Sequence, residues 1–114
     1  MTLADLRTMH CSALKGPKHA LPRAQIDEWH QLLPAGWEIG TDARELRKRF
    51  EFRDFAGALA FVNALAWIAE RENHHPDLEL GWGRCIVRFS THDVGGLSRN
   101  DFICAAKTEM LLSA

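Results

Sequence analysis

The chain has 114 residues, of which 46% are hydrophobic and 25% charged, and its formal net charge is −1. That length is one domain with a modest core, able to bury only about two-thirds of its unfolded surface, so self-association would help it. Near-neutral charge excludes a global attraction to nucleic acid or membrane, and no stretch approaches the roughly twenty apolar residues of a membrane span or the pattern of a secretory leader.

Residues 1–20 start with a weakly amphipathic turn or two and end in the Gly16-Pro17 break, which predicts an N-terminal extension draped on a single domain over residues 21–114. From Pro22 a helix is expected: proline suits a first-turn position, and Ile26, Trp29 and Leu33 recur at helical spacing before Pro34-Ala35-Gly36 stops it. Trp37 to Gly40 and Leu46 to Arg53 read as two strands. In the second, Leu46, Lys48, Phe50 and Phe52 alternate with Arg47, Arg49, Glu51 and Arg53, the pattern of a sheet covered on one face.

Asp54 is placed to cap a helix running to about Glu72, with Phe55, Leu59, Val62, Ala66 and Ala69 as one apolar stripe. Ala58, Phe61, Leu65 and Ile68 form a second stripe, read as an outer face that another copy of the chain would cover. Leu78 to Trp82 and Arg84 to Thr91 predict two more strands, the last with Cys85, Val87, Phe89 and Thr91 toward the helices. Ser98 as N-cap and Asp101 three residues on approximate a capping box that opens a final helix, with Leu97 and Phe102 as its staple. The order α-β-β-α-β-β-α implies an α+β two-layer sandwich: a four-stranded, mainly antiparallel sheet with helices on one face.

Cys11, Cys85 and Cys104 are odd in number and lack C-x-x-C spacing, which argues against a disulfide framework or zinc knuckle and for a reducing, cytoplasmic setting. His10-Cys11 lacks the spacing of a zinc pair, and His10, His19 and His30 read as ordinary structural or surface residues. The stretch from Glu70 to His92 is different, since it holds the other three histidines, and histidine can both give and take a proton near neutrality. Pro76 pushes His75 toward extended geometry, so His74 and His75 occupy a helix-to-strand corner from which both rings can reach one cavity.

Glu70-x3-His74-His75-Pro76-x5-Trp82-x9-His92-x8-Asp101 resembles the signature of the pterin-4a-carbinolamine dehydratases. The similarity extends to Arg47–Phe55 and Gly95–Phe102, covering roughly residues 20–112. The family's fold is the same two-layer sandwich. The resemblance implies a hydro-lyase that dehydrates 4a-hydroxytetrahydropterin to quinonoid dihydropterin, recycling the cofactor of aromatic amino acid hydroxylases. It implies His74, His75 and His92 as catalytic residues, Glu70, Asn73, Pro76, Trp82, Thr91 and Asp101 around the substrate, no metal and no cofactor, and a homodimer or homotetramer with such a hydroxylase as the functional partner.

Bland readings accompany these. Glu70 can orient a histidine or be a solvated helix-end acid; Trp82 can wall the pocket or fill the strand turn; Asp101 is explained by the capping box without chemistry. Asn73 stands where some relatives have Asp, and its amide could bond a ring nitrogen. A three-histidine zinc site is a rival, but no carboxylate or cysteine is arranged to complete it. Two other function classes stand beside the enzyme: a binding or scaffold protein of the coactivator or assembly-factor type on the same fold, and nucleic-acid binding through Arg47, Arg49, Arg53, Arg84 and Arg88, which balanced charge and the lack of an aromatic platform disfavour.

Overall fold

The structure, a computed structural model, describes residues 1–112. Its helices are α1 (Leu3–Thr8), α2 (Arg23–His30), α3 (Phe55–Glu72) and α4 (Arg99–Met110). Its strands are β1 (Glu38–Ile39), β2 (Leu46–Glu51), β3 (Asp77–Gly81) and β4 (Arg84–Phe89), in sheet order β1-β2-β4-β3 with every pair antiparallel. This is the expected α+β sandwich.

The alternation on β2 and β4 explains the layering. Leu46 and Phe50 on β2, and Cys85, Val87 and Phe89 on β4, are buried under the helices, while Arg47, Arg49, Arg84 and Arg88 lie on the open face. Those arginines are matched there by acids, Arg88 Nη1 reaching Glu79 Oε1 at 2.8 Å and Arg49 Nε reaching Glu51 Oε1 at 3.2 Å. A mosaic of opposite charges replaces the continuous basic strip that phosphate binding requires.

One buried carboxylate fastens the sheet to α4. Glu109 accepts a hydrogen bond from Trp37 Nε1 at 2.8 Å and pairs with Lys48, whose ammonium also lies 4.8 Å from the centroid of the Phe50 ring. Lys48 thus sits on the inward face of β2, in register with Leu46 and Phe50, because its charge is answered inside.

Helix α3 corrects the assignment of its two stripes. Ala58, Phe61, Leu65 and Ala69 are buried against the sheet, with Phe61 packed 4.8 Å from Phe50 and 5.1 Å from Phe52 between ring centroids. The outward face is instead Phe55, Leu59 and Trp67, the last 74% exposed. A helix apolar around most of its circumference carries no periodic signal for which side faces the sheet; the Phe50–Phe52–Phe61 aromatic cluster decides it.

The N-terminal segment packs on the rest of the chain through a short helix. Thr2 and Asp5 close a capping box on α1, Leu6 is fully buried in the main core, and α1 packs on α4. Glu72 ties the following residues down: its carboxylate accepts from the Cys11 amide at 2.7 Å and meets His10 Nδ1 at 3.0 Å, with Lys107 Nζ at 3.9 Å. Burial opposes the Glu72 charge, but those three partners outweigh it and hold the carboxyl below the usual carboxylate range.

A carboxyl whose pKa is depressed by folding stabilises the native state above its unfolded pKa, and that contribution disappears as pH falls through the folded value. Thermal melts should therefore show wild-type stability falling on acidification below about pH 4.5. Glu72→Gln should be less stable at neutral pH, with a flatter acid limb; parallel limbs for the two proteins would refute the anchoring role.

Candidate active site

The corner between α3 and β3 is made by Asn73. It ends α3 in the left-handed region, with φ 50°, and its amide and that of His74 turn back to the carbonyls of Glu70 and Ala69, at 3.3 and 3.1 Å. This closes the helix in the manner usually reserved for glycine, a conformation asparagine tolerates better than other side chains. The contribution of Asn73 is thus to the backbone, where the sequence suggested an amide contact to a ring. The turn swings His74 inward, its side chain 11% exposed, and leaves His75 outward at 54%.

His74 lies parallel to the Phe89 ring, with centroids 6.1 Å apart, and its Nε2 is 2.7 Å from Asp101 Oδ1. Asp101 is fully buried. Its other oxygen, Oδ2, accepts from the Ser98 amide at 2.9 Å and from Thr91 Oγ1 at 2.8 Å. The capping box expected of Ser98 and Asp101 is present, but it engages only one of the two carboxylate oxygens.

Proton counting fixes the roles. Thr91 has one hydroxyl hydrogen, which goes to Asp101, so in the 2.7 Å contact between Thr91 and Ser98 the Ser98 hydroxyl donates. That hydroxyl accepts in turn from the Asn100 amide at 3.2 Å. A carboxylate already receiving two hydrogens on Oδ2 is an acceptor at Oδ1, so His74 carries its hydrogen on Nε2. Nδ1 is then the ring atom left to take or give a proton.

His92 follows Thr91 directly and is exposed at the start of the 3₁₀ turn His92–Val94, which lies just beyond the end of β4 at Phe89. It lines a cleft of about 400 Å³ with Arg44, Glu45, Asp77, Ser90, Thr91, Gly95 and Gly96. That volume suits a bicyclic ligand, and the wall offers both donors and acceptors. Glu45 is held in place there by Arg88 Nε at 3.2 Å. The turn leading to it carries two non-glycine residues with left-handed backbone, Asp42 at φ 67° and Ala43 at φ 53°.

The three histidines do not share one cleft. His75 opens on a smaller hollow of about 170 Å³ with Glu70, Pro76, Leu78 and the α3 residues Leu65, Ala66 and Ala69. Its Nε2 lies 2.7 Å from Glu70 Oε1, so Glu70 orients His75 and not His74, because Asn73 ends the helix before His74 can stand one turn above Glu70. Pro76 and Leu78 face the His75 hollow and Asp77 faces the His92 cleft, which places the start of β3 between the two.

Trp82 joins neither. It is 73% exposed in the turn between β3 and β4, at the far end of a five-residue strand from His75. At about 3.3 Å per residue the seven steps from His75 to Trp82 span roughly 23 Å of extended chain, so within one chain Trp82 does not reach the His75 hollow. Arg44, Glu45, Asp77 and Ser90 were not singled out in the sequence, and the first two come to the cleft only because β2 and β4 pair antiparallel. Among the described residues no group of three or more His, Cys, Asp or Glu side chains is placed to hold a metal ion.

The model of the family described as pterin 4 alpha carbinolamine dehydratase matches residues 19–111. A protein of Stenotrophomonas maltophilia, provisionally named a pterin-4-alpha-carbinolamine dehydratase, is 52% identical over 96% of this chain and 93% of its own. One of Xanthomonas euvesicatoria with the same provisional name is 53% identical over 96% and 92%. Among solved structures, a transcriptional coactivator/pterin dehydratase from Brucella melitensis superposes with TM-score 0.77 at 26% identity, covering 82% of this chain and 99% of that one. A pterin dehydratase-like protein identified as a RuBisCO assembly factor in the alpha-carboxysome gives 0.59 at 25% identity, covering 69% and 92%. Signature, fold and relatives agree over nearly the whole length, and the chain belongs to the pterin 4 alpha carbinolamine dehydratase family.

Proposed function

We propose that the chain is a hydro-lyase that converts 4a-hydroxytetrahydropterin to quinonoid dihydropterin by histidine acid/base catalysis, serving an aromatic amino acid hydroxylase in the cytoplasm. The observation that carries this is the buried Asp101 carboxylate, which holds His74 in one tautomer through Oδ1 and binds Thr91, a wall residue of the His92 cleft, through Oδ2. In the substrate, carbon 4a bears a hydroxyl and is bonded to N5. As an acid protonates the hydroxyl, the C4a–O bond breaks and water leaves; the N5 lone pair forms the C4a–N5 double bond, and a base removes the N5 proton. The substrate supplies its own push, so proton transfer worth roughly 10²–10⁴-fold is sufficient, with neither metal nor covalent nucleophile.

His74 Nδ1 and His92 are the acid/base pair, exchanging roles with the face on which the hydroxyl stands. When His74 takes the proton, Asp101 receives the Nε2–H of an imidazolium and stabilises its charge. Asp101 itself has no surface to offer a substrate, so it and Thr91 are positioning residues. His75, anchored by Glu70, binds the pterin edge, and Arg44, Asp77 and Ser90 supply polar contacts in the cleft.

His74→Ala and His92→Ala should each lower kcat by roughly ten- to a thousand-fold with the fold intact, whereas His75→Ala should raise KM more than it lowers kcat. Asp101→Asn should lower kcat by roughly tenfold or more with KM little changed, since the amide can no longer stabilise the His74 imidazolium. Exhaustive chelation should leave the wild-type rate unaltered. The readout is absorbance of enzymatically generated 4a-hydroxytetrahydropterin; full activity of the His74→Ala, His92→Ala double variant would sink the assignment.

A homo-oligomer, dimer or tetramer, fits the same reading, with the outward face of α3 as the proposed contact because Phe55, Leu59 and Trp67 lie exposed along it. That face also suits a binding or scaffold role, the second reading. Light scattering should give a multimeric mass that Leu59→Glu with Trp67→Glu lowers while the fold survives, whereas Leu65→Glu, on the buried face of α3, should unfold the chain. A wild type that stays monomeric at micromolar concentration would leave the face to another partner.

A further inference from the structure

The sulfur atoms of Cys11 and Cys104 lie 3.5 Å apart although 93 positions separate the residues in the chain. Neither has a part in the acid/base site, and Cys85, on β4, is occupied elsewhere, 3.9 Å from the Ile86 carbonyl. We propose that Cys11 and Cys104 are an oxidisable pair that closes into an intramolecular disulfide when a hydroperoxide reaches Cys11, locking the N-terminal segment onto α4.

The two sulfurs are held in place by different means. Cys104 is fully buried in the middle of α4 and cannot leave without unpacking the core. Cys11 is half-buried, so a small oxidant can reach it, and the backbone on either side is pinned: the Cys11 amide to Glu72 at 2.7 Å, the Ser12 amide to Asn100 Oδ1 at 3.2 Å, and the Ser12 carbonyl to Asn100 Nδ2 at 2.8 Å. Bond formation requires the sulfurs to close from 3.5 Å to about 2.05 Å, an approach of roughly 1.5 Å to be made by rotation about the side-chain torsions of the two cysteines.

The chemistry divides unevenly between the two thiols. The hydrogen bond with Cys11, then burial, then the negative charges of Glu72 and Asp101 push the Cys104 thiol up, so Cys104 stays protonated and Cys11 is the attacking group. The Cys11 thiolate attacks a peroxide oxygen; the S–O bond forms, the O–O bond breaks, and hydroxide or alkoxide leaves to be protonated. Cys11 becomes a sulfenic acid, its sulfur oxidised by two electrons and the peroxide reduced. The Cys104 sulfur then attacks Cys11, the S–S bond forms as the S–O bond breaks, and the hydroxyl departs with the Cys104 proton as water. The resulting cross-link closes nearly the whole chain into a ring, one helical turn along α4 from Asp101.

The full chain, treated with hydrogen peroxide, then denatured, alkylated, digested and weighed, should yield a Cys11–Cys104 linked peptide within single chains while Cys85 is alkylated. The oxidised protein should melt higher than the reduced one by roughly 5 °C or more, and dithiothreitol should reverse the shift. Cys11→Ser, a change at a half-buried position, should abolish both peptide and shift, and Cys104→Ala should trap Cys11 as a dimedone adduct. Cys11 passing to sulfinic acid with Cys104 still alkylatable, a disulfide between chains or through Cys85, or no reaction at all would each overturn the proposal.

Discussion

The site depends on keeping one carboxylate charged inside the protein. Asp101 has no exposed surface, and isolating a carboxylate from water costs several kcal/mol unless hydrogen-bond donors replace the lost hydration. Ser98, Thr91 and His74 provide those donors, and each arrives on a different element: the cap of α4, the chain just beyond β4, and the corner after α3. Removing any of them leaves a buried acceptor underserved, so the requirement that stabilises the charge also fixes the geometry of His74.

Two further acids repeat this arrangement at other seams. Glu109 joins β2 and the Trp37 segment to the end of α4 through Lys48 and the indole N–H, and Glu72 joins the N-terminal segment to the end of α3 through Cys11 and His10. A domain of this length has little apolar surface to bury, and its helices are joined to their surroundings at three points where a carboxylate is met by directional donors. Directional contacts determine a register, which apolar packing alone leaves loose.

The corner after α3 shows how local backbone chemistry places side chains at the candidate site. Left-handed Asn73 sends consecutive histidines in opposite directions, one to a buried carboxylate and one to a solvated glutamate. The two rings therefore have different environments despite identical chemistry, and an acid/base role and a binding role can be divided between them. The start of β3 stands between the His75 hollow and the His92 cleft, so a flat ligand reaching both would lie across that strand end.

Short-range periodicity and spacing are legible in the chain without its fold. The alternation of Leu46, Phe50, Cys85, Val87 and Phe89, the Asp54 cap, and the Ser98–Asp101 box follow from strand and helix geometry, and the α+β sandwich follows from their order. The histidine signature was legible as a pattern with a family attached. Tertiary structure alone decided which stripe of α3 faces inward, since a helix apolar nearly all round looks the same from either side until Phe61 meets Phe50 and Phe52. It alone decided that Asp101 serves His74, that Glu70 serves His75, that Trp82 stands apart, and that Arg44 and Glu45 reach the cleft. Each of these is settled by chain reversals and strand pairing that bring together residues tens of positions apart, and neither propensity nor spacing carries information over such separations.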